Sequence, residues 1–485
     1  MEVDKCGNGN TEVDKCGPGY ATPMDAFLHG EREKLLYVIC VQPNPEGHKS
    51  DILSTVDVDP KSKTYQQIVH LLPTGKINDE IHHSGWNTCS SCHGCKGHVR
   101  DKLILPCLGS DRIIVVETGK KPRSPSIHKI IDSNEMHKYN CASPHTSHCL
   151  ASGDIMISTL GDTEGNGKGD FMLFDGKTFK TKGTWTRGDK LAKFGYDFWY
   201  QPKFDVMVAS EWAAPKIFKT GFLPSHVTDP EAYGTALNFY SWTKRKLIQT
   251  IDLGMDGCAP LEVRFLHDPN ICEGYVGTAV NANVYRFYKK ADGTFTADKV
   301  IDVKQLKVEG GDWPMEYMQG FISDILLSLD DKYLYLNNWL QGDIRQYDIT
   351  DRANPRLTGQ VYLGGLLLSD SSIKVVDDDS YVPHDPVIIK GKRLHGGPQM
   401  LQLSLNGKRL YVSNSLYSTW DKQFYPDAVQ AGGWIAKIDI DHENGGMTLD
   451  KDFIVDFGNT PHGSILAHEM RYPGGDCTSD IWLAK

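Results

Sequence analysis

Five polar side chains recur at one place in successive strand hairpins of this sequence. His148 in PHTSHCLASGD, Asp197 in GYDFWYQPK, Glu262 in PLEVRFLHD, Asp324 in FISDILLSLD and His468 in LAHEMRYPGG each lie six residues before Asp154, Lys203, Asp268, Asp330 and Gly474, near the first turn. In EIHHSGWNTC the neighbours His82 and His83 point to opposite faces of a regular strand, so one of them looks the same way as the five. Imidazoles and a carboxylate meeting from remote segments make a site for a borderline transition metal, with copper ahead of zinc in affinity, whereas calcium would take oxygen ligands alone. A lone buried histidine more often bonds backbone groups, so the expectation rests on convergence. It also rests on register, because a slip of one residue turns a side chain to the other face.

Cys89-Ser-Ser-Cys92-His93-Gly-Cys95 is the second chemically suggestive stretch. Its spacing suits zinc, a redox dithiol or the capture of a soft atom such as selenium. As a zinc site it is half complete, since no second C-x-x-C follows, and the βαβ setting of thioredoxin-like dithiols is missing. We expect a dithiol near the mouth of a channel. The 12 cysteines are too few for a disulfide scaffold in 485 residues, and most are expected as reduced thiols. GNGKG at 165–169 lacks the remainder of a phosphate loop and reads as a hairpin turn. The aromatic residues around 196–202 read as core.

Positioning such residues requires many short strands, and the chain supplies them. Runs of Val, Ile, Leu, Tyr and Phe alternate with Gly, Asp, Asn and Pro turns, the pattern of an all-β protein. SLDDKYLYLNNW at 328–339 and SLNGKRLYVSNS at 404–415 match in register, and each leads into a further strand, RQYDITD at 345–351 and AKIDIDHENGG at 436–446. Looser copies place third strands at 55–60, 113–119, 171–179, 237–246 and 284–290, for seven four-stranded units. The expected architecture is a single-domain, seven-bladed β-propeller over 21–485, with first strands lining one channel; two β-sandwiches are the alternative. The first unit lacks an inner strand, and DCTSDIWLAK at the end is expected to supply one hairpin and no third strand, so N- and C-terminal strands close the ring together. EVDKCGNGN and EVDKCGPGY form a near-duplicate pair within residues 1–20, expected as a flexible tail.

Composition narrows the partners. A net charge of −10, spread along the chain, excludes an electrostatic footprint for nucleic acid and favours small-molecule chemistry. The polar amino terminus lacks the order of a secretory signal, and no apolar run reaches the roughly 18 residues of a membrane span. The expected location is the cytosol, with the nucleus and peripheral membrane association as further sites.

Long strings then carry a resemblance: IHHSGWNTCSSC (81–92), HTSHCLASG (145–153), GYDFWYQP (195–202), SEWAAP (210–215), LEVRFLHDP (261–269), QGDIRQYDI (341–349), KRLYVSNSLYSTWDKQFYP (408–426) and HEMRYPGGDCTSDIW (468–482). From about residue 16 to the end the chain resembles the selenium-binding protein family, known also as methanethiol oxidases. The resemblance implies a seven-bladed propeller that oxidises methanethiol with O2 and water to formaldehyde, hydrogen sulfide and hydrogen peroxide, using copper. It makes His82, His83, His145, His148, His267 and His468 the candidate metal ligands. Selenium binding in the family is usually assigned to cysteine, as a covalent adduct. Some members carry a cysteine where this chain has Gln66, so Cys89 and Cys92 are the expected selenium-binding residues here. Cys95, the CKGHVRDK segment and the duplicated tail are departures from the family. On this reading the metal takes the thiol substrate as thiolate and relays electrons to oxygen, while Glu262 accepts a proton. The competing reading is a non-enzymatic propeller that carries selenium or thiol metabolites and acts in intracellular protein transport.

Overall fold

The structure is a computed structural model that describes residues 18–46, 49–95 and 97–484. Its β-branched and aromatic runs, cut by turn residues, fold into seven four-stranded antiparallel sheets. In six of them the chain lays the strands down in order. The first strands of those six, Gly85–Trp86, Ala142–Cys149, Phe198–Gln201, Pro260–Phe265, Ile325–Leu327 and Leu401–Leu403, are buried at every residue. Last strands such as Ser126–Ile131 and Lys246–Asp252 instead alternate between half-buried and exposed positions, the two-residue period of a strand with one wet face. Burial therefore falls from first strand to last, and the first strands face the interior.

One latch recurs between consecutive sheets. Ser158 Oγ accepts from the Thr146 N–H (3.0 Å) and donates to Tyr196 O (2.6 Å), joining its own first strand to the next sheet. Ser210 does the same between the Asp197 N–H (3.2 Å) and Leu261 O. Asn337 bridges the Asp324 N–H and Pro398 O, both at 2.7 Å, and Ser413 bridges the Met400 N–H (3.3 Å) and His468 O. All four side chains are buried, so each satisfies backbone groups that would otherwise be desolvated without a partner.

The remaining sheet combines both ends of the chain. Leu35–Val41 pairs on one side with Ile52–Asp57 and on the other with Leu466–Arg471, where Tyr37 faces Arg471 and Cys40 faces Ala467. The expected hairpin in the last ten residues does not form: among 476–484 there is no strand, and the donated strand lies earlier. Asp476 explains the difference, since it accepts from the Thr478 N–H, the Ser479 N–H and both their hydroxyls, winding this segment into a turn. Of the expected tail, residues 1–17 lie outside the described residues. Tyr20 is held at both backbone groups, its N–H donating to Ser90 Oγ (3.2 Å) and its carbonyl accepting from Trp482 Nε1 (3.0 Å).

Connections between sheets carry structure the strand pattern does not announce. Leu306–Glu309 pairs with Tyr317–Met318 and Lys374–Val375, and two short helices, Ser418–Phe424 and Pro426–Ala431, follow Arg409–Val412. Their apolar side chains, among them Leu306, Phe321, Leu367, Trp420 and Tyr425, join Tyr196, Trp212 and Leu261 in one cluster. Among the described residues no helix is long and apolar enough to cross a membrane.

Candidate functional site

Four histidines meet beneath that apolar cluster. His82 and His83 come from the extended segment entering Gly85–Trp86, His145 from Ala142–Cys149 and His468 from Leu466–Arg471, so three sheets contribute. Ring centroids are 4.4 Å apart for His82 and His468, 4.1 Å for His83 and His145, 5.9 Å for His82 and His145, and 6.1 Å for His83 and His468. All four are at most 3% exposed. Burial, followed by the neighbouring imidazoles, pushes His83 and His468 well below the ordinary histidine range; burial and His82 do the same to His145. For His83, His145 and His468 this favours the neutral ring, the state in which imidazole binds metals.

Their outer partners fix orientation. His468 Nδ1 lies 2.6 Å from Ser415 O and must donate to it, which leaves Nε2 with a free lone pair. His82 Nε2 lies 3.1 Å from Glu80 Oε1, and Glu80 is itself held by the Ser418 N–H (2.8 Å) and hydroxyl (2.6 Å). His145 Nδ1 faces Thr146 Oγ1 at 3.3 Å. His83, His145 and His468 each keep a buried Nε2 with no hydrogen-bond partner, a cost of about 1–3 kcal/mol per orphaned group. Among the described residues no three His, Cys, Asp or Glu side chains are arranged as a ready-made metal site. Each of the three orphaned nitrogens is a borderline imidazole donor, the ligand type that copper accepts. A strained backbone accompanies the site: Glu80, Ser143, Ala259 and Phe321, each just before or within a first strand, have φ of 46°, 52°, 56° and 62°.

His148 and His267 do not join the four. His148 packs edge-on against Phe198 and Trp199, both at 5.1 Å, and His267 sits against Trp482 (5.7 Å) with Nε2 3.2 Å from Leu327 O. The six-residue count placed His148 level with Asp197, but the latches show otherwise. Thr146, Asp197 and Asp324 occupy one level, because each gives its N–H to the latch side chain; His468 matches Tyr196 and Leu261 one residue earlier, because each gives its carbonyl. Bulges accompany the slip, as register shifts between Pro144 and Ser147 and between Val38 and Cys40, whereas Glu262 keeps its counted level.

The carboxylate level with Asp197 is therefore Glu469, which the count missed although it adjoins His468. His83 lies between two carboxyls, Nε2 at 3.3 Å from Glu262 Oε1 and Nδ1 at 3.3 Å from Glu469 Oε1, the first contact lacking hydrogen-bond direction. Burial and then Asp197 push Glu262 well up; burial pushes Glu469 up to about 7. Arg264 pairs with Glu262 and Asp197, and Arg471 with Glu469, while Asp324 accepts from the Leu401 N–H (2.7 Å).

One further feature borders the histidines, and a second lies apart from them. Tyr196, Trp212, Leu261, Phe321 and Leu416 enclose, with His82, a small apolar cavity no larger than a single water molecule. Cys89 and Cys92 lie together with Cys149, which the C-x-x-C spacing could not reveal because it comes from another sheet.

Asp421 shapes the loop that holds His468, accepting from Ser415 Oγ (2.7 Å) and the Leu416 N–H (3.0 Å). Burial raises its carboxyl from 3.8 to about 7. The folded protein thus keeps a proton that the unfolded chain releases, so this group's contribution falls as pH rises from about 4 to 7 and is level above that. Asp421→Asn should be more stable than the parent at pH 8, with the gap closing towards pH 5. Thermal midpoints showing the same gap at both pH values would contradict this account.

The sequence matches the family model for the 56 kDa selenium-binding protein over residues 14–483. The chain belongs to the selenium-binding protein family. A methanethiol oxidase of Xenopus tropicalis is 56% identical over 99% of this chain and 100% of its own length, and selenium-binding protein 2 of Mus musculus is 53% identical over 98% and 100%. Among solved structures, a hypothetical selenium-binding protein from Sulfolobus tokodaii superposes with a TM-score of 0.84 at 37% identity, covering 96% of this chain and 98% of that one. This selenium-binding protein family member thus shares most of its fold with that solved structure.

Proposed function

We propose that this protein is a methanethiol oxidase that converts methanethiol, O2 and water to formaldehyde, hydrogen sulfide and hydrogen peroxide at a copper site. The observation that carries the reading is the set of three orphaned, neutral imidazole nitrogens, on His83, His145 and His468, beside a small apolar cavity. Full-length relatives named methanethiol oxidase support it. We further read the seven sheets as the blades of a propeller, closed into a ring by Leu466–Arg471 and with the histidines at one end of its axis; the latches between consecutive sheets support this.

His83, His145 and His468 would hold the metal, with His82 alongside. Copper, when bound, supplies the one-electron chemistry that couples a thiolate to dioxygen. The chain's own part is to bind, orient and exclude water. His468 is fixed by Ser415 O, and His83 by Glu469 at its Nδ1. The apolar walls beside His82 suit the methyl group of the smallest thiol, and the cavity leaves no room for a long chain. Glu262, its carboxyl raised by burial, takes the proton of the thiol or of the methyl carbon at Oε1, the oxygen facing His83. Selenium, as a covalent adduct, is assigned to Cys89 and Cys92.

Purified protein with and without added copper should decide: copper-dependent release of sulfide and peroxide from methanethiol is expected, and copper-loaded protein that releases neither would refute the oxidase and leave a selenium or thiol carrier. Cavity size gives a second test. Leu416→Ala removes part of the wall, and since one methylene is worth about 1–3 kcal/mol in such pockets, the ratio of kcat/KM for ethanethiol over methanethiol should rise about tenfold or more. An unchanged ratio would place the substrate elsewhere.

A further inference from the structure

Three sulfurs surround one hydroxyl outside the histidine site. Ser91 Oγ lies 3.2 Å from Cys89 Sγ, 3.9 Å from Cys92 Sγ and 3.8 Å from Cys149 Sγ. All three cysteines are free thiols at most 2% exposed, so only a small reagent reaches them. Cys89 precedes and Cys92 ends the single turn Ser90–Cys92, whereas Cys149 ends the strand Ala142–Cys149.

We propose that Cys92 and Cys149 form a peroxide-oxidisable thiol pair, in which a small hydroperoxide oxidises the Cys92 sulfur and Cys149 closes a disulfide onto it. The two sulfurs are not alike. Cys149 shares the Ser91 hydroxyl with Cys92 and Cys89, and hydrogen bonding from Cys149, Thr88 and Ser91 lowers Cys92 to about 5, although Leu150 O also lies 3.5 Å from Cys92 Sγ. Burial and those same sulfurs hold Cys149 well above the ordinary thiol range, as a proton-bearing partner. A thiolate beside a thiol is the arrangement that peroxide attack requires.

The electrons balance within the pair. The Cys92 thiolate attacks one peroxide oxygen, an S–O bond forms as O–O breaks, and the departing hydroxide becomes water by taking the proton that Cys92 had released. The Cys149 sulfur then attacks Cys92, S–S forms as S–O breaks, and the second hydroxide leaves as water with the Cys149 proton. Two thiols are oxidised and one hydroperoxide is reduced. The product would tether the turn that follows His82 and His83 to the strand that carries His145, so it would report on the same region without being part of the metal site.

The pair stands apart from the proposed oxidase reaction, because hydrogen peroxide itself is the probe. Full-length protein treated with hydrogen peroxide, alkylated, digested and mapped by mass should yield the Cys92 peptide joined to the Cys149 peptide, reversible by dithiothreitol. Cys149→Ser should lose the link and leave Cys92 as a sulfenic acid trapped by dimedone, while Cys89→Ser should keep the link. Parental protein whose Cys92 and Cys149 both remain alkylated, or whose Cys92 links to Cys89 regardless of Cys149→Ser, would overturn the assignment. The parental map decides even if a variant fails to fold.

Discussion

On the proposed copper site, alanine at both His145 and His468 should abolish copper binding and lower methanethiol turnover by about a thousandfold or more, since a bound metal supplies several kcal/mol of transition-state stabilisation and each 1.36 kcal/mol is tenfold. The two rings come from different sheets and each presents an orphaned Nε2. His148→Ala is the discriminating control, because that ring stands apart among Phe198 and Trp199 and should leave copper retention unchanged. Metal content of purified variants with matched circular dichroism, read together with sulfide release, measures both. Loss of copper in His148→Ala equal to that of the double variant would move the site.

Arg264→Met should cost about 3–5 kcal/mol of folding stability at pH 8, the range for breaking a buried ion pair from one side. Arg264 lies 4% exposed, pairs with Asp197 and Glu262, and is further stabilised by Asp324. Burial already raises Glu262 and Asp324, and without the guanidinium, which lowers both, they hold their protons to still higher pH in the folded protein. Stability of the variant should then fall as pH rises from 5 to 8, relative to the parent. Unfolding curves at the two pH values check the sign, and a penalty that ignores pH would mean that lost packing against Trp199, over which the guanidinium sits at 5.3 Å, dominates.

The sheets were legible because two-residue alternation and turn residues are local signals, and the third strands expected at 113–119, 171–179 and 237–246 lie where Ile113–Glu117, Gly167–Asp175 and Ala236–Ser241 form. The convergence of His82, His83 and His468 was legible for the same reason. Bulges were not, since an extra residue in one strand leaves no mark in composition, and they turned Glu469 into an unnoticed neighbour and His148 into a false equivalent. The helix Ser418–Phe424 was hidden inside a run of strand-like residues, KRLYVSNSLYSTW, and it forms where Glu80, from a remote segment, receives the Ser418 N–H. Cys149 joined the other sulfurs only through tertiary contact.

The pairing of Leu35–Val41 with Leu466–Arg471 has a consequence for synthesis. On the ribosome the early strand emerges with one edge's amide and carbonyl groups open, and its proper neighbour is made only when nearly the whole chain has been translated. Throughout that interval the nascent chain carries a sticky border that chaperones must shield. A ribosome stalled before codon 466 would release a product with most sheets assembled and that border permanently bare, a species prone to pairing with its own copies.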